Sequence, residues 1–218
     1  MAKAVRRRGA TSEAWDIVYG PSFDLTVESN IRRLLRRLRR GTIHAVWLGI
    51  ECRTFSTARR PPLRSSAHPD GLPGLAGRDL AACLHGNLLA EAGARIVSVA
   101  ASLGIPVAVE NPHRSLLWHH SAFEKLAVRW PPQRTTLDYC CFGTPWRKRT
   151  TFWSWHLDLS NLGRLCSSKK GKCDRTGLTH VHLVGRNTDK KLLTQIAEPY
   201  PSQLVDHLSS IIATAIQP

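Results

Sequence analysis

The sequence predicts an α/β fold, because short apolar runs alternate with segments that have the spacing of amphipathic helices. Residues 43–48 and 105–109 are apolar runs with the length of buried strands. Residues 30–40 place four aliphatic side chains on one face of a helix and arginines around the rest. Residues 78–103 have the length of a long helix. Strand, helix and strand therefore follow one another as they do in α/β domains.

Weaker patterns complete the expected order of elements. Apolar and β-branched residues predict three further strands, at residues 14–19, 135–142 and 151–155. Helical spacing and a serine N-cap predict two C-terminal helices, at residues 189–196 and 202–216. We expect a core at residues 1–158, a basic Cys- and His-bearing loop at 159–188, and C-terminal helices at 189–218 that pack back on the core.

Charge is the strongest signal in the composition. The 218 residues include 31 Lys plus Arg against 16 Asp plus Glu, a net charge of +15. Such a basic domain predicts a nucleic-acid partner, DNA or RNA, with DNA preferred. An anionic membrane surface is the runner-up, but no amphipathic anchor helix supports it, and a generally basic composition is the alternative. The apolar runs are too short to cross a membrane. Six cysteines at irregular spacing do not form a secreted disulfide framework, so we expect an intracellular protein, nuclear or cytoplasmic.

Cys52 is the first candidate for a reactive side chain. It follows the apolar run 43–48, at the kind of strand end where open α/β sheets bind ligands. Nearby arginines favour the reactive thiolate, whereas the carboxylate of Glu51 raises a thiol pKa and opposes it. The alternative is a buried and inert cysteine.

Glu110 and Asn111 follow the second apolar run, residues 105–109, and are expected at the same edge of the sheet. A carboxylic acid there can act as a general acid, and the amide of Asn111 can fix its orientation. The alternative for Glu110 is an ordinary surface acid. Residues 138–149 span the end of the strand predicted at 135–142 and the turn after it, and combine aromatic and basic side chains, which suits base stacking and phosphate contact.

Taken in order, residues 49–60, 107–112 and 138–149 resemble the motifs of DNA cytosine-5 methyltransferases that hold the nucleophile, the Glu-Asn pair and the basic support segment. The resemblance covers roughly residues 15–150. It implies a Rossmann-like methyltransferase sheet flanked by helices, with methyl transfer from S-adenosylmethionine to DNA. It also implies that Cys52 attacks C6 of cytosine and that Glu110 protonates N3.

The same resemblance implies cofactor contacts near the N-terminus, where Asp16 would contact the ribose of S-adenosylmethionine and Asp24 would lie near the adenine. Their alternative roles are a turn former and a helix cap. The glycine-rich cofactor loop of that family is not found, so the sheet is expected to lack its first βα unit. Either the unit is missing, or a second chain supplies it, or the cofactor is held in another way.

Nucleic-acid contact is expected from the loop after Cys52 and from the basic support segment. The predicted contact residues are Arg53, Ser56, Arg59, Arg60, Trp146, Arg147, Lys148 and Arg149.

Residues 159–188 replace the expected target-recognition region with a short lysine-rich piece. A zinc site is one interpretation, because Zn²⁺ accepts any tetrahedral set of sulfur and nitrogen ligands that a loop can form. The candidate ligands are Cys166, Cys173, His180 and His182, with Cys140 or Cys141 as a further donor. The alternative is a basic loop with two incidental cysteines.

Two functions follow from these patterns. The first is a DNA cytosine-5 methyltransferase-like enzyme that uses Cys52, Glu110 and Asn111. The second is a catalytically inactive, nucleic-acid-binding relative, as a fragment or a protein of a mobile element would be.

Overall fold

The computed structural model describes residues 1–216 and has an α/β architecture built on one mixed four-stranded sheet. The strands are β1 (Val46–Gly49), β2 (Val107–Pro112), β3 (Gln133–Asp138) and β4 (Arg149–Trp155). Their order in the sheet is β1-β2-β4-β3. β1 pairs with β2 in parallel, and β4 runs antiparallel to both of its neighbours. This mixed sheet flanked by helices is compatible with a Rossmann-like fold.

Six α-helices surround the sheet. They are α1 (Ala2–Arg7), α2 (Glu28–Arg39), α3 (Gly77–Ser102), α4 (Ser121–Arg129), α5 (Leu193–Ile196) and α6 (Ser202–Ala215). Short 3-10 helices lie at Ile17–Tyr19, Pro21–Phe23, Leu116–His119, Tyr139–Phe142 and Ser160–Leu162. Among residues 1–216, no helix combines the length and the apolar character needed to cross a bilayer.

The two faces of the sheet bury different layers, because side chains alternate along each strand. On one face, Val107 and Val109 pack with the apolar sides of α2, α3 and α4. On the other face, Ala108 and Phe152 pack with α6 and with the Tyr139–Phe142 turn. Helices on both sides therefore shield the sheet, as the apolar runs of β1 and β2 at its parallel end require.

One end of the sheet gathers the segments that the sequence marks as functional. β1, β2 and β3 all end there, at Gly49, Pro112 and Asp138, and the antiparallel β4 begins there at Arg149. We call this end the carboxyl edge. Because β1 and β2 are in register with Gly49 opposite Glu110, the loop after β1 leaves the sheet beside Glu110.

The strand predicted at residues 14–19 is wrong. Ile17–Tyr19 is a 3-10 helix, and its three side chains are more than half exposed, with Val18 at 76%. The carboxylate of Asp16 accepts a hydrogen bond from Val18 N at 3.0 Å. This local bond closes a turn in place of a strand ladder, so Asp16 lies outside the sheet.

Two other predicted elements are shorter in the structure. The strand expected at residues 135–142 ends at Asp138, and the chain continues as the Tyr139–Phe142 3-10 helix. The helix expected at residues 189–196 spans only Leu193–Ile196. Lys190 has a φ of +61°, and Asn187 Oδ1 accepts a bond from Lys191 N, so a turn occupies the start of that segment.

Candidate functional site

Cys52 and Glu110 approach each other at the carboxyl edge. Glu110 lies on β2 opposite Gly49, and Cys52 lies in the turn three residues beyond Gly49. The two side chains are close enough for Glu110 to perturb the ionisation of the Cys52 thiol. The pairing of β1 with β2 therefore brings the loop of Cys52 to the end of the strand that carries Glu110, 58 positions later in the sequence.

Glu110 is held on the side of the sheet that faces α6. Its Oε2 accepts a hydrogen bond from the Tyr200 hydroxyl at 3.2 Å, and that hydroxyl accepts one from Trp47 Nε1 at 3.1 Å. Its Oε1 is shielded from solvent and has no hydrogen-bond partner. Since buried polar atoms are nearly always paired, this oxygen has an unused capacity for a hydrogen bond.

Burial raises the pKa of the Glu110 carboxyl above its ordinary value. The positive charge of Lys148 and the Tyr200 hydrogen bond oppose this shift without cancelling it. Desolvation penalises the charged form of an acid, so the site favours the protonated carboxyl more than water does. A protonated acid is the form that donates a proton to a ring nitrogen.

The pKa of the Cys52 thiol is also raised, chiefly because the thiol is largely buried. Lys148 opposes the shift, whereas Glu110 and Glu198 add to it through their negative charge. The resting site therefore disfavours the thiolate. A substrate that neutralises or displaces this negative charge would favour it.

Asn111 connects the two halves of the site. It is fully buried, and its Nδ2 donates to the carbonyl of Ile50 at 2.7 Å, which ties β2 to the start of the Cys52 loop. Its Oδ1 has no partner. The expected role of orienting the Glu110 carboxyl is not what these contacts provide, because the amide holds backbone instead.

An arginine cleft opens at the carboxyl edge. Its volume is ≈ 420 Å³. The lining comes from the Cys52 loop, from the turn after β2 and from the start of β4, and consists of Ser56, Thr57, Ala58, Pro112, His113, Arg114, Ser115, Arg147 and Arg149. The cleft thus combines three arginines with the hydroxyls of the loop, a composition that suits phosphate groups.

Three of the predicted nucleic-acid contacts, Ser56, Arg147 and Arg149, line this arginine cleft. Lys148 lies between the two arginines in sequence but turns inward. Its ammonium donates to the Ala197 carbonyl at 3.2 Å and lies 4.9 Å from the centre of the Tyr139 ring. Successive side chains of an extended chain point to opposite sides, so Arg147 and Arg149 point outward and Lys148 points inward.

The other predicted contacts are outside the arginine cleft. Arg59 pairs with Asp79 at 2.8 Å, and Arg60 donates to backbone carbonyls of its own loop. Arg53 pairs with Glu51 at 2.6 Å on the surface. Trp146 packs against the core on the α6 face of the sheet instead of standing free as a stacking platform.

The predicted cofactor residues Asp16 and Asp24 both serve local turns. Asp16 caps the Ile17–Tyr19 helix. Asp24 Oδ1 accepts bonds from Thr26 N at 2.8 Å and from Thr26 Oγ1 at 2.7 Å, and these bonds lower its pKa. Neither residue follows a strand of the sheet. The ribose and adenine contacts that the resemblance implies for them stay predictions.

A second set of reactive side chains converges where β3 ends. Cys140, Cys166, Cys173 and His180 place their ligand atoms within 4.8 Å of one another. We call them the Cys3His cluster. Three of the four predicted loop ligands are in it, and Cys140 supplies the fourth position. His182 is exposed and lies outside the cluster. The cluster could hold a metal ion and is compatible with zinc.

Sequence reasoning missed the aromatic residues around Glu110. Tyr200 comes from the Pro199-Tyr200-Pro201 segment before α6, and Trp47 comes from β1. Tyr139 lies close enough to Glu110 and Cys52 for both to raise its pKa, after burial as the main cause. The position of Tyr200 between two prolines could have marked it as a fixed side chain. Its partner Glu110 is 90 positions away in the sequence, so the pairing itself could not be predicted.

Comparison with protein-family models, with curated proteins and with solved structures found no match for this chain. Its function therefore has to be inferred from the geometry of the carboxyl edge.

Proposed function

We propose that this protein binds DNA and holds a cytosine base at the carboxyl edge by the chemistry of cytosine-5 methyltransferases. Cys52 is the nucleophile for C6, and Glu110 is the acid for N3. The observation that carries the proposal is the pairing of Gly49 with Glu110, which brings the Cys52 loop to the end of β2 where the buried Oε1 of Glu110 has no partner. Such an oxygen, once protonated, is a donor for the ring nitrogen of a pyrimidine.

The arginine cleft supplies the second half of the proposal. A cytosine can reach the thiol of Cys52 only when it is flipped out of the base stack. The phosphates that flank the flipped nucleotide then need a cationic surface near the site. The arginine cleft lies against the Cys52 loop and β2, and a chain of net charge +15 gives the long-range attraction. RNA would meet the same groups, so both nucleic acids belong in the test.

The reaction step is a reversible addition. Cys52 loses its proton to solvent, and the thiolate forms a bond from sulfur to C6. The π electrons of the C5–C6 bond move into the ring while N3 takes the proton of Glu110. Lys148 stabilises the thiolate, since its charge lowers the pKa of Cys52. C5 of the adduct then takes a proton from solvent and loses its original proton to solvent. Elimination of the Cys52 thiolate re-forms the C5–C6 double bond while N3 returns its proton to the Glu110 carboxylate, which restores cytosine.

The residues of this site do not account for transfer of a methyl group. Asp16 and Asp24, the residues expected at the cofactor, are committed to turns away from the strands. The proposed reaction therefore stops at addition to C6 and exchange of the hydrogen on C5, which needs no methyl donor.

A second function, nucleic-acid binding without reaction, is favoured by one observation. Burial and two carboxylates raise the pKa of Cys52, so the thiolate is scarce in the free protein. In that case the arginine cleft would be the functional surface, and Cys52 would only line the site.

Release of tritium from DNA labelled at C5 of cytosine tests the reaction. The proposal expects release with wild-type protein and its loss in Cys52→Ala and Glu110→Gln. Cys83→Ala, which removes a buried thiol on α3, should retain it. Absence of release together with DNA binding that depends on Arg147 and Arg149 would favour the second function. Absence of binding to either DNA or RNA would refute both.

A further inference from the structure

We infer that the Cys3His cluster is a structural zinc site that fixes the arginine cleft. Zinc bound by Cys140, Cys166, Cys173 and His180 would hold the basic loop on the carboxyl edge and, through Asp138, hold Arg147 and Arg149 in position. The part that concerns nucleic acid rests on the proposed function, whereas the metal site itself does not.

The spacing of the ligand atoms fits tetrahedral zinc. Cys166 Sγ lies 4.0 Å from Cys173 Sγ and 3.7 Å from His180 Nε2. Zn–S bonds of about 2.3 Å in a tetrahedron place two sulfurs about 3.8 Å apart. A disulfide would need about 2.05 Å between the sulfurs, and all six cysteines are free thiols. Three thiols and one imidazole that converge this closely match a known set of zinc ligands.

The loop backbone is shaped around the cluster. Cys173 N donates to Leu178 O at 2.8 Å, and Gly177 N donates to Cys173 O at 2.8 Å, which closes a tight turn after the third cysteine. His180 N donates to Gly171 O at 3.1 Å and brings the imidazole back over the turn. The Asp174 carboxylate accepts bonds from Ser167 N and Oγ, so it braces the residue after Cys166.

The charge of the surrounding loop also favours binding of zinc by the Cys3His cluster. Zinc with three thiolates and a neutral histidine carries a net charge of about −1. The surrounding loop is basic, with Arg164, Lys169, Lys170, Lys172 and Arg175. Without metal, the three thiol groups lie almost entirely out of solvent, with exposures of 4% or less. The loop offers them little apolar packing of its own, since most of its side chains are exposed.

Asp138 links this cluster to the arginine cleft. Its carboxylate is fully buried and accepts the backbone N–H of Cys166 at 2.9 Å. The same carboxylate binds Arg149 through two bonds, at 2.9 and 2.8 Å, and lies 3.3 Å from Arg147 Nε. One carboxylate therefore joins a metal ligand to two of the three arginines of the cleft.

A second link runs through the backbone. Val181 N, next to His180, donates to Pro145 O at 2.9 Å. Tyr139 N, next to Cys140, donates to Lys148 O at 3.1 Å. The segment that carries Arg147 is thus attached at both ends to neighbours of metal ligands. Loss of the metal would release both attachments together.

Metal stoichiometry tests the site. Protein dialysed after loading with Zn²⁺ should retain one zinc per chain, and Co²⁺ in its place should give the strong visible bands of tetrahedral cobalt–thiolate coordination. Cys173→Ser and His180→Ala should weaken zinc binding at least 100-fold. His182→Ala, two residues from a ligand but exposed, should bind zinc as wild type does. Wild-type protein without zinc, or equal loss in His180→Ala and His182→Ala, would overturn the site.

Hydrogen exchange tests the coupling without nucleic acid. Removal of zinc by a chelator, under reducing conditions, should raise amide exchange both in residues 164–182 and in residues 139–149. The amides of β2 should stay protected, which shows that the sheet remains folded. Faster exchange confined to residues 164–182 would overturn the link to the arginine cleft while leaving the metal site intact.

Binding of a fluorescein-labelled single-stranded oligodeoxynucleotide tests the consequence for the cleft. Zinc removal should weaken binding about 10-fold and lower the salt slope by about 1.4, the value for two lost phosphate contacts. The double variant Arg147→Ala/Arg149→Ala, loaded with zinc, should show the same loss, and zinc removal should weaken it no further. If the double variant binds as wild type does, the proposed use of the cleft fails, whereas metal stoichiometry still decides the zinc site.

Discussion

The two cysteine sites of this protein lie at the same edge of the sheet, yet they have opposite surroundings. Cys52 is a single thiol whose pKa is raised chiefly by burial and further by the negative charges of Glu110 and Glu198, against the opposing charge of Lys148. The Cys3His cluster gathers three thiols and an imidazole inside a loop rich in lysine and arginine. The same side chain is therefore set up for two different tasks by the groups around it.

The difference shows what a cysteine needs for each task. A metal ligand needs other donors that converge within a few ångströms, and the loop provides them by folding back on β3. A nucleophile needs a nearby acid, and the pairing of β1 with β2 brings the Cys52 loop to the end of the strand that carries Glu110. The sites are connected through the segment of residues 138–149, since Asp138 serves the cluster and Lys148 serves Cys52.

The largest expected effect is a difference in the free energy of unfolding between variants of the two cysteine sites. Cys173→Ser should lower the free energy of unfolding in the presence of zinc by about 4 kcal/mol when free zinc is about 1,000 times its dissociation constant. Cys52→Ser should cost about 1 kcal/mol or less, because a half-buried thiol makes few unique contacts. Urea denaturation with and without zinc measures both. Equal losses, or no effect of zinc on wild type, would contradict the comparison.

The second largest effect is expected when the negative charge of Asp138, which connects the two sites, is removed. Asp138→Asn should cost about 3 kcal/mol, because it leaves Arg149 and Arg147 beside a neutral group and weakens the bond to Cys166 N. Burial acts against ionisation of Asp138, but its bonds to Arg149 and Cys166 N prevail and lower its pKa. Denaturation at pH 7 measures the cost.

The control for Asp138 is Asp158→Asn, which alters an exposed acid after β4. It should change the free energy of unfolding by about 0.5 kcal/mol or less. A loss in Asp138→Asn no greater than in this control would show that the carboxylate does not connect the sites.

The third prediction concerns Glu110, the acid beside the Cys52 loop, and the way its ionisation makes stability depend on pH. Folding raises its pKa, so the folded state holds this proton more tightly than the unfolded chain. The contribution is full below the unfolded pKa near 4.5 and is lost as pH rises through the folded pKa. Glu110→Gln cannot ionise and should gain stability relative to wild type as pH rises, by about 1.4 kcal/mol for each unit by which folding raises the pKa.

Parallel denaturation curves between pH 4 and pH 8 measure this difference. The comparison with Glu110→Gln isolates one group, because carboxylates with lowered pKa values, such as Asp24 and Asp138, are present in both proteins. A constant difference across this range would mean that Glu110 ionises as it does in water.

The smallest effect is expected at an exposed arginine outside the arginine cleft. Arg53→Ala removes a guanidinium that is 78% exposed and pairs with Glu51. Exposed pairs of this kind contribute little, so the free energy of unfolding should change by less than about 0.5 kcal/mol. DNA binding should change less than in Arg149→Ala, because Arg53 is outside the arginine cleft. Fluorescence anisotropy compares the two variants, and a greater loss in Arg53→Ala would place the nucleic acid elsewhere.

Local patterns in the sequence sufficed for most of the fold. The apolar face of α2, the extent of α3 and the runs that form β1 and β2 could be placed within a few residues. The buried face of α3 could not, because Leu80, Leu84 and Leu88 are exposed and alanines fill most of the buried face. The prediction failed at residues 14–19, where the apolar residues Ile17, Val18 and Tyr19 are exposed. There a side-chain bond from Asp16 decided the local structure, and no periodic pattern reports such a bond.

The sequence by itself determined the charge, the order of the elements and the two strand ends that bear Cys52 and Glu110, because these depend on neighbours along the chain. Only the tertiary structure decided that Tyr200 holds Glu110, that Cys140 and not His182 completes the Cys3His cluster, and that Lys148 turns inward while Arg147 and Arg149 line the cleft. These contacts join residues that are distant in sequence, and the packing of the sheet, loop and helix sets their distances.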